Sequence, residues 1–157
     1  MSRPLPVPVL PDRPEPLPRL VRGVARHLRG HDFVALEEVV PTPGLRVDLM
    51  ALGPKGEIWV IECKSCRADF RSDTKWQNYL PWCDRYFWAV DAAFPTDILP
   101  EGSGLILADC YDAQIVRMGP LTPLAAPRRR ALVQVFARHA ALRLQSHRDP
   151  GFSAFSV

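Results

Sequence analysis

The chain has 157 residues, 47% of them hydrophobic, which suits one domain with a buried core, and its net charge of +3 admits a nucleic-acid partner without requiring one. No apolar run approaches the length of a membrane span, and the start lacks the basic and continuous apolar parts of a signal peptide. A cytoplasmic protein with no membrane partner is therefore expected.

Seven of the 17 prolines fall in the first 18 residues, so residues 1–18 read as a disordered or polyproline II arm. From Leu17 to Arg29, Leu17, Leu20, Val21, Val24 and Leu28 recur at helical spacing with arginines between them, which predicts an amphipathic helix ended by Gly30-His31. Phe33 to Val40 predicts a strand closed by Pro41-Thr42-Pro43-Gly44. Leu45 to Leu52 and Glu57 to Lys64 predict two more strands, joined by a hairpin turn at Gly53-Pro54-Lys55-Gly56. Ser65 to Ser72 reads as a polar connection, after which Ser72 or Asp73 caps a helix running to Leu80 and stopping near Pro81. Arg85 to Val90 predicts a strand, and Asp91 to Gly104 a loop with room for a helical turn. Gly104 to Ala108 and Gln114 to Met118 form a second hairpin around Asp109 to Asp112. Leu132, Val135, Phe136 and Leu142 mark a closing helix from Pro127 to Leu144, and the tail after Gln145 has little pattern.

The first hairpin carries the chemistry. With Pro54, Lys55 and Gly56 as a three-residue loop and Gly56 left-handed, Gly53 faces Glu57 and, counting outward, Asp48 faces Glu62. Residues opposed on antiparallel strands share a face with side-chain roots about 5 Å apart, and Lys64 shares that face with Glu62. Ile58, Trp59, Val60 and Ile61 are apolar on both faces, which marks a central strand covered on both sides. Two carboxylates against one ammonium, partly removed from water, leave a negative charge that a hard divalent cation compensates, although a structural salt bridge among the three also fits. Only three residues, Lys55, Lys64 and Lys75, are lysine, so a lysine here is not a product of lysine-rich composition.

Asp48 followed by Glu62-x-Lys64 resembles the motif of the PD-(D/E)XK nuclease superfamily, with Val47 where proline is common. The wider stretch R-V-D-L-M-A-L, G-E-I-W-V-I-E-C-K-S and A-D-F-R-S-D-T-K-W-Q-N-Y is similar to the MmcB family of bacterial DNA repair proteins within it, over roughly Leu17 to Pro120. The resemblance implies an α/β fold, a restriction-endonuclease-like α-β-β-β-α-β core with a mixed central sheet flanked by helices. It divides the chain into the arm, a nuclease-like domain over residues 19–145, and a tail over residues 146–157. The implied activity is hydrolysis of DNA phosphodiester bonds in repair, with Mg2+ or Mn2+ on Asp48, Glu62 and the Cys63 carbonyl, and with Lys64 orienting or helping to deprotonate water. DNA, and other repair proteins, are the implied partners.

Families of this type often take a further acid from the first helix, which here contains none. Of the adjacent Glu37 and Glu38 on the first strand, Glu37, in phase with Phe33 and Ala35, is the choice for that ligand. Gln77 resembles a residue that positions substrate or water, although Lys75 and Tyr79 lie four apart on the same predicted helix and spacing does not decide which turns inward. Arg67, Arg71 and Lys75 are candidates for phosphate contacts, and Arg128-Arg129-Arg130 extends them to the last helix, whose N-terminal dipole disfavours such a cluster. Cys63, Cys66, Cys83 and Cys110 hold one C-x-x-C pair with no second pair, so they read as buried thiols, Cys63 pointing away from Glu62 and Lys64. The rival to a nuclease is a DNA-binding or scaffold module that keeps the fold without cleaving, which the small size and absent helix acid allow. A nuclease acting on RNA or branched structures is not excluded either.

Overall fold

The computed structural model describes residues 18–65, 67–72 and 75–151. The proline-rich arm through Leu17, Cys66, the cap candidate Asp73 and residues 152–157 lie outside them.

The expected register of the hairpin holds. Strand β2 (Leu45–Leu52) and strand β3 (Ile58–Cys63) pair antiparallel, with Leu52 opposite Ile58 and Leu49 opposite Ile61. The Gly53 N–H donates to the Glu57 carbonyl at 2.8 Å, and Gly56 takes a left-handed φ of +86°, where glycine carries no steric cost. Strand β1 (Val34–Thr42) pairs antiparallel with β2. Beyond β3, strands β4 (Arg85–Val90) and β5 (Gly104–Ala108) run parallel to it, and β6 (Ala113–Arg117) returns antiparallel. The result is one mixed six-stranded sheet in the order β1-β2-β3-β4-β5-β6.

Both faces are covered. Helix α1 (Arg19–Gly30) lays Val21, Val24 and Leu28 on the face formed by Leu49, Trp59, Ile61, Phe87 and Ile106. Helix α3 (Ala126–Arg148) lays Leu132 and Phe136 on the other, against Met50, Ile58, Val60, Trp88 and Val90. The continuous apolar run of β3 is explained by this: Val60 and Ile61 are both 0% exposed, one on each face. Among the described residues, no helix is long and apolar enough to cross a membrane.

Two expectations about local structure need correction. The polar connection after β3 is a short helix, α2 (Arg67–Ser72), whose Phe70 meets the edge of Trp88 with ring centres 5.2 Å apart. The helix expected up to Leu80 is instead a 3-10 segment over Trp76–Trp82, with Pro81 inside it. Trp76, Tyr79 and Trp82 are its half-buried positions while the residues between are exposed, a repeat of three that suits 3-10 geometry and not the α-helix. The final helix also runs past Gln145 to Arg148.

Candidate functional site

Strand pairing brings Asp48 and Glu62 together. The register at Leu49 and Ile61 continues by one residue, and two reciprocal bonds close it: the Asp48 N–H donates to Glu62 Oε1 at 3.0 Å, and the Cys63 N–H donates to Asp48 Oδ2 at 2.8 Å. Glu62 is 4% exposed and lies beside Trp88 of β4.

Burial first, and the neighbouring Asp48 charge second, push the Glu62 carboxyl up to about 8 against an ordinary 4.5, with Lys64 opposing them only weakly. A carboxyl held above its unfolded value binds its proton more tightly in the folded state. Stability is then fully present below about 4.5 and is lost as pH rises through about 8. Urea denaturation in EDTA should show that decline, on the order of a few kcal/mol, and Glu62→Gln should remove it. Parallel curves for the two proteins would refute the placement of this charge.

Lys64 is 8% exposed, directly after β3. Its Nζ lies 3.9 Å from Asp69 Oδ1 on α2 and 5.9 Å from the centre of the Trp88 ring. Asp69 also accepts the Ser65 N–H at 3.2 Å, so α2 is tied to the end of β3 that carries the lysine. Asp69 was not among the residues singled out from sequence; its role comes from the tertiary contact with Lys64. Cys63 packs with the α1 side of the sheet, away from Glu62, as expected, and burial pushes its thiol pKa up; burial likewise raises Cys83 to about 12.

Glu37 does not join the pair. It stands opposite Leu49, one residue out of phase with Asp48, and its carboxylate lies 3.5 Å from Arg143 of α3, which also donates to the Glu37 carbonyl. The adjacent Glu38 is exposed and has a left-handed φ of +54°. The strand's alternation slips there, so that Leu36 and Val39, three apart, both pack toward α3. Among the described residues, no group of three or more His, Cys, Asp and Glu side chains gathers as a ligand set.

The remaining candidates surround the segment after β3. Arg67 and Arg71 are exposed on α2, and Lys75 and Gln77 are exposed at and within the 3-10 segment. Tyr79 is the residue that turns in, donating from its hydroxyl to the Arg46 carbonyl at 3.0 Å. The arginine triplet is largely structural: Arg128 stacks 4.3 Å over Trp82 and donates to the Pro81 carbonyl, while Arg129 forks onto Asp84 with two bonds of 2.6 Å. Arg130 alone of the three has no such tie and is exposed.

The donor set fits a hard divalent cation in one respect. Two carboxyl groups, one of them buried, carry more negative charge than Lys64 offsets once Glu62 gives up its proton, and a cation can take that proton's place. Among the described residues it does not supply a third side-chain ligand.

No curated protein matches the chain. A solved structure of a protein of unknown function from Silicibacter pomeroyi is 66% identical to it, with a TM-score of 0.86, over 90% of this chain and 97% of that one. The profile of the family described as DNA repair protein MmcB-like matches residues 12–151. By that match, over nearly the whole length of a mixed sheet with paired acids beside a buried lysine, the chain belongs to the MmcB-like DNA repair family.

Proposed function

We propose that the chain acts on DNA in repair as a metal-dependent phosphodiester hydrolase of the PD-(D/E)XK type. The observation that carries this reading is the Asp48–Glu62 pair, two carboxyl groups opposed across the central hairpin and each held by a backbone N–H, with Lys64 directly after the same strand. Asp48 and Glu62 would hold Mg2+ or Mn2+, with the Cys63 carbonyl as a further oxygen. When bound, such a cation lowers the pKa of a water and offsets charge developing on the phosphoryl group.

The chain's own residues do the rest. Asp69 and the Trp88 ring restrict where the Lys64 ammonium can go, so that its N–H groups are aimed before substrate arrives. Lys64 Nζ then orients the attacking water or donates to the oxygens on which negative charge grows. Arg67, Arg71, Lys75 and Gln77 are exposed on the segment that follows and contact the phosphates and sugars of the strand being cut.

Labelled single-stranded, duplex, nicked, flapped and branched DNAs, each with Mg2+, Mn2+ or EDTA, test the reading against Lys64→Ala. Metal-dependent cleavage that disappears in the variant supports it. The withdrawal of Glu37 to Arg143, and the lack of a third acidic ligand among the described residues, favour one competing reading: a DNA-binding or scaffold module that keeps the fold. Binding without cleavage on every substrate selects that one.

A further inference from the structure

We infer that the outer face of α1 is an arginine track that binds the phosphate backbone of duplex DNA, separate from the residues around Asp48 and Glu62; this rests on the reading of the chain as a DNA-acting protein. Arg19, Arg22, Arg26 and Arg29 recur at spacings of three and four, fall on one side of the helix, and are all exposed. The buried residues Val21, Val24 and Leu28 occupy the opposite side. Helix α1 contains four of the 20 basic residues and none of the 17 acids, so over the rest of the chain the acids outnumber the bases by one. The positive excess of the whole molecule is therefore concentrated on this one surface.

These arginines are not taken up by the fold in the way Arg129 is. Among the described residues, Arg26 and Arg29 have no ion pair, and Arg22 lies 5.9 Å from the ring centre of Tyr111, which is itself 66% exposed. Arg19 approaches the Cys110 sulfur at 4.0 Å and feels Asp109. The nearest acids lie along one edge of the track: Asp109 beside Arg19 at its start, and Asp112, which meets His27 at 3.4 Å.

The fold also gives the track a direction. Because β3, β4 and β5 are parallel, the turn after β5 lies at the sheet end that carries Glu62 and Lys64. Helix α1 starts beside that turn and ends where β1 begins, since Val34 pairs with Leu52 near the hairpin loop at the other end. The track thus starts at the same end of the sheet as the acid pair, on the opposite face, and leads away from it. From Arg19 to Arg29 the rise is about 15 Å, matching about four phosphates at about 3.4 Å of duplex axis each. Such a track would anchor DNA beyond the segment presented to Asp48 and Glu62.

The test is fluorescence anisotropy of a labelled DNA duplex in EDTA, titrated over about 50 to 200 mM salt. It compares the wild type with a variant carrying Arg19→Gln, Arg22→Gln, Arg26→Gln and Arg29→Gln, and with Arg67→Gln/Arg71→Gln. Across that salt range the wild type should lose about a hundredfold more affinity than the fourfold variant, because four phosphate contacts contribute about 0.9 each to the slope. All four side chains are exposed, so the variant should melt with the wild type. Equal salt slopes for the two proteins would overturn the track while leaving the DNA reading intact. Failure of the wild type to bind any DNA removes both. Phosphatidylserine vesicles captured by the wild type and not by the variant, with DNA binding unchanged, would assign the face to a membrane surface and also overturn the proposal.

Discussion

Asp48→Asn should lower metal-dependent cleavage by roughly a thousandfold while leaving the protein folded. Asparagine keeps the shape of the side chain and an oxygen for the Cys63 N–H, but it removes one of the two charges that would hold the cation. It also removes the neighbouring charge that, after burial, does most to raise the Glu62 carboxyl. The variant in EDTA should therefore melt at or above the wild-type temperature near pH 8, where the wild type begins to carry both charges. Adding Mn2+ should raise the wild-type midpoint, by about 2.7 kcal/mol of stability at a hundred times Kd, and leave the variant nearly unmoved. An inactive variant that is also less stable in EDTA would point to a structural salt bridge, and the metal reading would fall. Equal Mn2+ shifts in both proteins would do the same.

The parts of this site that were legible in the sequence are those fixed by strand geometry. The loop Pro54-Lys55-Gly56 sets the hairpin register, and a period of two then carries Asp48 to Glu62 and separates Cys63 from Lys64. That reasoning failed at Glu37 because the phase it shares with Phe33 and Ala35 belongs to the α1 face, with Leu49 and Ala51 opposite, and not to the face of Glu62. Glu38, the neighbour in phase with Asp48, takes a left-handed φ and is exposed, which nothing in two adjacent glutamates reveals. Trp76, Tyr79 and Trp82 do show a repeat of three in the sequence, but a repeat of three and one of 3.6 are hard to separate over seven residues. Asp69 was illegible for another reason: its role depends on where a one-turn helix folds back against Lys64, which no local pattern records. The same holds for Arg129, which looked like part of a basic surface until its partner, 45 residues away, was in place.

That partner carries the largest stability prediction. Asp84→Ala should cost about 3–5 kcal/mol and lower Tm by about 10 °C. Asp84 is 4% exposed and serves four donors: the Ile58 N–H at 2.8 Å, the Leu124 N–H at 2.9 Å, and both arms of the Arg129 guanidinium. Alanine leaves the half-buried Arg129 charge without its counter-ion and two backbone donors without acceptors. Burial alone would raise the Asp84 carboxyl, but the Arg129 fork and the two N–H groups outweigh it and hold its pKa below the ordinary 3.8. A depressed carboxyl stabilises the fold above its unfolded value and loses that contribution as pH falls through the folded one. The wild type should therefore soften in acid below about pH 4 where Asp84→Asn does not. Arg129→Ala should cost less than Asp84→Ala, because the aspartate keeps its backbone donors, and the double variant less than the sum of the two. Arg129 also donates to the Gly56 carbonyl at 2.8 Å, so the network ties α3 to the last residue of the turn and to the first residue of β3. Glu62 rides on that strand and Lys64 directly follows it, several residues beyond the tie. Cleavage at low temperature should thus survive in Asp84→Asn while thermal tolerance falls. Loss of activity at temperatures where Asp84→Asn remains folded would show that the network acts on the site itself and not only on stability.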